Sequence, residues 1–207
     1  MVDADAVTMV MPIHPARWRT TARRAIRSVL AQSAPVAAMS IVTDTEGAGA
    51  GPTRDRAMAA VRTEWIAFLD SDDEWHADHV KRLVTHAAET GADVVYPACR
   101  VVHTELGVLP RNHPGFEEWG RPGQPFDADL LRRKSYLPVT SLVRTSLAQQ
   151  SSFVPPGGSH YDDWGFYLGL LDLGATFVHL PWISWTWHHG PHNSGGLPTK
   201  GDAIAAR

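Results

Sequence analysis

The chain has 207 residues, 43% hydrophobic and 20% charged, a composition that fits one globular domain or at most two and argues against a disordered or fibrous chain. Nineteen basic and 22 acidic side chains leave a formal charge of −3, which argues against a strongly basic nucleic-acid binder. The single cysteine, Cys99, excludes an internal disulfide framework or a multi-thiolate metal centre. The acidic start Met1–Ala6 lacks the basic region of a signal peptide, and no apolar run is long enough to cross a bilayer, so a soluble cytoplasmic protein is the expectation.

Val7–Ile13 reads as a first strand, closed by Pro12 and His14-Pro15. A helix follows, with Trp18, Ala22, Ile26, Val29 and Leu30 as its apolar stripe and five arginines between them. Ser40–Thr43 is a second strand ending at Asp44, and Glu46–Pro52 a glycine-rich turn. Thr53–Arg62 is a helix with Thr53 as its N-cap. Trp65–Leu69 is a third strand that runs into the acidic stretch Asp70–Glu74. Ala77–Thr90 is helical and stopped by Gly91, and Asp93–Val102 is a fourth strand. Strands alternating with helices predict an α/β fold with a mainly parallel sheet. Right-handed crossovers then bring the C-terminal strand ends to one edge, where open α/β sheets bind ligands. Asp44 and the Asp70–Asp73 run sit at two of those ends.

The second half differs in character. Leu109–Pro125, rich in proline and glycine, reads as a loop or lid, Asp127–Arg133 as a short helix and Val139–Arg144 as a strand. Trp164–Leu173 is a helix ending at Gly174. Thr176–Leu180 and Ile183–Trp187 are two further strands, and a loop-like tail begins at His188. No linker interrupts the chain. One domain over 1–207 is expected, with a nucleotide-binding half (1–103) and a half that completes the site (104–207).

Asp70-Ser71-Asp72 places two carboxylates one residue apart after a buried strand, where they can converge on a hard cation such as Mg²⁺ or Mn²⁺. The alternative is a helix N-cap with dipole-complementing charges. Asp44 can accept from a ribose or base, or serve as a turn residue before Gly47. Arg54 and Arg56 can pair with phosphate or with the acidic run, or be exposed helix arginines. Asp162-Asp163 precedes an apolar helix, where one carboxylate can act as general base or both can cap the helix. His188, His189 and His192 can bind metal or phosphate, although the spacing is not that of a structural zinc site. Trp182, Trp185 and Trp187 are packing residues or a stacking platform for a sugar.

Taken together these segments resemble glycosyltransferase family 2. VTMVMPIHPARWRTTARRAIRSVLAQS is similar to its opening strand and helix, with Ser28 to Gln32 in its S-x-x-x-Q ending. IVTD resembles the strand that ends in a nucleotide-contacting Asp. GPTRDRAMAAVRTEWIAFLDSDDEW resembles its central block, and YLPVTSLVRTSL and HYDDWGFYLGLLDLG its acceptor-side and base-bearing segments. The resemblance implies a GT-A fold and an inverting transfer of one sugar from a nucleotide diphosphate sugar, with UDP as the family-level donor. It implies that Pro12, His14, Asp44, Arg54, Asp70 and Ser71 contact the donor. Asp70 and Asp72, with His189 or His192, would hold Mn²⁺ or Mg²⁺. Asp163 would be the catalytic base, with Asp162 in the adjoining Glu position. Departures are Asp44-Thr45-Glu46-Gly47 where the family has DDGS, Asp55 for the Asn after the Arg, and no Q-x-x-R-W signature, which argues for single transfer over polymerisation. The acceptor and oligomeric state stay open. A sugar-phosphate nucleotidyltransferase and a non-catalytic nucleotide-sugar or glycan-binding module are the competing readings.

Overall fold

The computed structural model describes residues 6–110, 123–154 and 162–189. The first half runs β1 (Val7–Ile13), α1 (Thr21–Leu30), β2 (Ala38–Thr43), α2 (Ala50–Ala59), β3 (Trp65–Phe68), β4 (Glu74–Trp75), α3 (His79–Thr90) and β5 (Val94–His103). Then follow β6 (Gly107–Leu109), α4 (Ala128–Arg133), β7 (Leu142–Arg144), α5 (Thr145–Ala148), α6 (Asp162–Asp172) and β8 (Phe177–His189). All eight strands form one sheet in the order β2-β1-β3-β7-β5-β8-β4, with β6 added to β5. The pairs β1–β2, β1–β3 and β5–β8 are parallel. The short strands β4, β6 and β7 pair antiparallel. The α/β architecture, with parallel pairing among β2, β1 and β3 and again between β5 and β8, is the one expected from the alternation of strands and helices; the short β7 joins the two parallel sets antiparallel to both.

Side-chain alternation along the strands builds two cores. Val7, Met9, Met11 and Ile13 of β1 face Ala22, Ala25 and Val29 of α1 and Val80, Leu83 and Val84 of α3. Val10, Ile66 and Phe68 face the other way, toward Ala57 and Met58 of α2, Leu131 of α4 and Phe166, Tyr167 and Leu170 of α6. β1 is buried on both faces, which is why it reads as an unbroken apolar run. Its neighbours β2 and β3 lie on opposite sides, so strand order reverses at β1 and opens a crevice at its C-terminal end.

Four sequence expectations are corrected. Trp18 and Leu30 are exposed, because α1 starts only at Thr21 and buries the narrower stripe Ala22, Ala25, Ser28 and Val29. α2 starts at Ala50 after Gly49, whose φ of 96° suits glycine, so Thr53 lies inside the helix and its hydroxyl donates to the Gly49 carbonyl. The two C-terminal strands are one strand, β8, with a register irregularity opposite Pro97–Cys99 that accommodates the chain around Pro181. Asp70–Glu74 does not cap α3: β4 intervenes, and Asp78 is the residue before the helix.

The Ser28-to-Gln32 stretch proves to be a fastening between α1 and β4. The Ser28 hydroxyl accepts from the Trp75 amide (3.0 Å). Gln32 donates to the His76 carbonyl (2.8 Å) and accepts from the Val80 amide (3.0 Å). It thereby holds the chain leaving the acidic turn. Of the lid stretch Leu109–Pro125, residues 111–122 lie outside the described residues. Its far end is seated on β5 at Gly123, where a Cβ would come within 2.5 Å of the Ala98 Cβ.

Candidate active site

The acidic turn follows β3 directly. The Asp73 amide donates to the Asp70 carbonyl (3.1 Å), folding Asp70-Ser71-Asp72-Asp73 back on itself. One carboxylate oxygen each from Asp70, Asp72 and Asp73 lies within 4.8 Å of the others. Asp73 was not foreseen as a third member, although it stands in the same acidic run.

Each acid has a different partner. The Arg54 guanidinium donates to Asp70 (2.5 Å) and to Asp163 (3.1 Å). Arg17 pairs with Asp72, and Arg24 donates to the Asp72 carbonyl (2.5 Å). Asp73 accepts from the His188 amide (2.9 Å). Burial first, then repulsion from Asp70, pushes the Asp72 carboxyl above its usual range. The nearly inaccessible Asp73 is pushed well above it by burial and then by both neighbours. Three hard carboxylate donors close together, two of them with pKa values raised by burial and then by repulsion, are a setting in which a divalent cation is favoured, so the residues fit Mg²⁺ or Mn²⁺.

Arg54 joins the two halves. It is buried on α2 and lies over the Phe153 ring at 5.2 Å. Phe153 stacks on Phe166 at 4.0 Å, and both meet Phe68 of β3 edge-on at 5.3 and 5.6 Å. α6 is held further by the Trp164 indole on the Leu131 carbonyl (2.6 Å) and the Tyr167 hydroxyl on the Pro138 carbonyl (2.7 Å). Asp163 sits in the first turn of that helix, so this packing brings it to Arg54. Asp162 begins the helix, and its side chain lies outside the described residues. Asp55, beside Arg54, accepts from the Ser152 hydroxyl (2.6 Å) and the Phe153 amide (3.0 Å), which secures the same loop.

The other predicted residues are arranged around this centre. Asp44 follows β2, and its amide donates to the Ile13 carbonyl at the end of β1 (2.9 Å). Both its oxygens accept from its own loop, from Ala48 (2.9 Å) and Gly49 (2.8 Å), and these bonds hold its pKa low. Arg56 lies 3.8 Å from the Asp44 carboxylate and 3.3 Å from Glu46. Pro12 is buried in β1 opposite Val42, whereas His14 is exposed and accepts from the Ala16 amide. Ser71 is buried in the acidic turn.

The histidines divide. His189 is buried with its ring stacked on His103 at 5.3 Å, and it is not part of the three-carboxylate group. His192 lies outside the described residues. The residue that reaches the turn is His188, through its backbone amide, while its ring stands 3.6 Å from Glu74. Trp185 is core, Trp187 packs against the same core, and exposed Trp182 lies under Arg82 at 3.9 Å. Arg17 and Arg24 were missed as counter-ions. They lie 55 and 48 residues from Asp72, and only the packing of the 3-10 turn Pro15–Arg17 and α1 beside β4 brings them there.

The sequence profile of glycosyl transferase family 2 matches residues 37–143, just over half the chain. Among solved structures, S. aureus TarS residues 1–349 align at TM-score 0.67 and 16% identity over 88% of this chain and 60% of that one. TarS in complex with UDP-GlcNAc aligns at TM-score 0.67 and 16% identity over 92% and 60%. The UDP complex gives 0.64 and 16% over 89% and 61%. The chain thus spans about 60% of the length of these structures, and at this identity the likeness shows the fold. No curated protein sequence matches.

Proposed function

The chain belongs to glycosyl transferase family 2, and on that premise we propose that it transfers one sugar from a nucleotide diphosphate sugar to an acceptor hydroxyl, with inversion and with Mn²⁺ or Mg²⁺. The observation that carries the proposal is the convergence on Arg54 of Asp70, from the acidic turn, and Asp163, from the start of α6. Two elements 93 residues apart, from opposite halves of the chain, meet through one buried cation at the C-terminal end of the parallel strands. A UDP-sugar is the proposed donor, since the aligned TarS structures include complexes with UDP and UDP-GlcNAc.

In this reading the loop after β2, with Asp44, Pro12 and His14, forms the nucleoside side of the crevice, and Ser71 and Arg54 border the diphosphate. Asp70 and Asp72, with Asp73 beside them, would hold the cation. Once bound, it would supply the positive charge that neutralises a diphosphate leaving group. Asp163 accepts the proton of the acceptor hydroxyl as that oxygen bonds to the anomeric carbon. The bond from that carbon to the diphosphate breaks, and the electron pair departs with the nucleoside diphosphate. Attack opposite the leaving group inverts the centre. Arg54 orients Asp163 and ties its position to that of Asp70, so donor and base sides stay in register.

The interleaving of β7 and β8 with first-half strands supports reading 1–207 as one unit, with donor residues in 1–103 and the base in 104–207. The test is a thermal-shift panel of UDP, GDP and dTDP with Mn²⁺ or Mg²⁺, then with EDTA, followed by donor hydrolysis. UDP should raise the melting temperature only with metal. No shift with any nucleotide overturns the donor assignment. Equal shifts without metal overturn the role of the acidic turn. Binding without hydrolysis or transfer favours a binding module.

A further inference from the structure

We propose that the outer face of α1 docks this protein on an anionic membrane surface. α1 contains no acidic residue. Its inward face is Ala22, Ala25, Ser28 and Val29. On the opposite face Arg23 and Arg27 stand one turn apart, and Arg19 precedes them in the turn before the helix. All three are exposed and, among the described residues, have no ion-pair partner, whereas Arg17 and Arg24 are engaged at the acidic turn. A groove of about 600 Å³ opens on this side, lined by Arg19, Arg23, Arg24 and Arg27 with Glu74 and Trp75, and it has room for a phosphate headgroup. In a chain of net charge −3 this is a local excess of positive charge. Like charges one turn apart oppose the helix, and a layer of anions relieves that repulsion.

The exposed apolar residues of this segment decide between a lipid surface and a soluble polyanion. Leu30 is 70% exposed, three residues beyond Arg27 on the same stripe, and Trp18, next to Arg19, is 49% exposed. Neither gains from a soluble polyanion. Both gain from the headgroup–acyl boundary, where a Trp ring and an aliphatic tip beside arginines are favoured. Since Arg17 and Arg24 reach Asp72 from this segment, docking would hold the acidic turn within about one helix diameter, roughly 10 Å, of the surface. A lipid-borne acceptor would suit that position. The docking inference itself rests on α1 and not on the proposed reaction.

Co-sedimentation of the full chain with vesicles tests it. The protein should pellet with mixed phosphatidylglycerol–phosphatidylcholine vesicles and stay in the supernatant with phosphatidylcholine alone. It should be released by raising salt to about 0.5 M. Arg23→Ser with Arg27→Ser should weaken binding about 25-fold, roughly fivefold per arginine. Arg23→Lys with Arg27→Lys should retain it, and Leu30→Ser should weaken it less and with little dependence on salt. Far-UV circular dichroism and melting temperature establish that each variant is folded. Absence of binding to anionic vesicles, equal binding to neutral ones, or unaltered binding by the folded double Ser variant overturns the proposal. So does competition by free glycerol phosphate as effective as that by vesicles at equal phosphate, which would make the groove a site for soluble phosphate.

Discussion

Two acidic loops follow the two strands that flank β1, and they satisfy their carboxylates in opposite ways. Asp44 gives both oxygens to amides of its own loop, four and five residues on, and its pKa is held low. Asp70 and Asp72 are answered by arginine side chains from α2 and from the segment before α1, and burial and mutual repulsion raise the pKa of Asp72. A carboxylate that accepts from adjacent amides fixes the shape of its loop, because those donors cannot leave without unfolding it. One that is paired with a long side chain can exchange that partner for another cation. The loop after β2 is therefore built as a rigid wall, and the turn after β3 as a place where positive charge can be traded.

The largest expected effect lies at Asp163, which shares Arg54 with the turn after β3. Asp163→Asn should lower transfer about 10²- to 10⁴-fold, as loss of a general base does, with UDP affinity essentially retained. An equal loss of UDP affinity would make Asp163 a donor-binding residue instead. Phe166→Ala should remove about 3–5 kcal/mol of stability in denaturant titration, because it opens the stacked cluster that seats α6. A small loss there would mean that Trp164 and Tyr167 hold the helix alone. Asp72→Ala should abolish the metal-dependent part of the UDP thermal shift, worth about 2.7 kcal/mol at a hundredfold excess over Kd. Asp44→Ala should instead lower the melting temperature without ligand and leave the metal dependence intact. If the two variants behaved alike, the contrast between the loops would be wrong.

The smallest effect per step, one pH unit, is read from acidification. His79 is fully buried on α3, stacked on Trp75 at 4.5 Å, and burial lowers its pKa to about 3. Between about 6.5 and 3 the unfolded chain binds a proton there that the folded protein does not, so stability falls as pH falls, by about 1.4 kcal/mol per unit. Asp72 and Asp73 are raised and act in the opposite sense. Below their folded pKa values the native state holds protons that the unfolded state releases down to about 3.8. His79→Gln should remove the first slope and expose the second, seen as a melting temperature that declines less on acidification than that of the wild type. A lowered acid such as Asp44 contributes only below 3.8, and with loss of stability, so the sign of the remaining slope separates the two loops.

Much of this was legible in the chain itself. The strands β1, β3 and β5, the stop of α3 at Gly91 and the placement of Asp44 and Asp70 at strand ends all followed from apolar runs and turn residues, because these are local consequences of burial and backbone sterics. The errors arose where local signals competed. Leu30 and Trp18 are apolar at helical spacing, yet α1 has only a narrow seat on the sheet and leaves them outside. Thr53 is a good N-cap residue, yet Gly49 allows the helix to start a turn earlier.

Which residues carry charge, and which strand ends they follow, is a local matter, since hydrophobic periodicity and turn chemistry act within a few residues. Their partners are set by long-range packing. That Arg54 would join Asp70 to Asp163, that Arg17 and Arg24 would answer Asp72, and that the His188 amide rather than the His189 ring would meet the acidic turn depended on contacts 16 to 115 residues apart. Those contacts are set by the order of strands in the sheet and by which face each helix covers, and no short stretch of sequence encodes either.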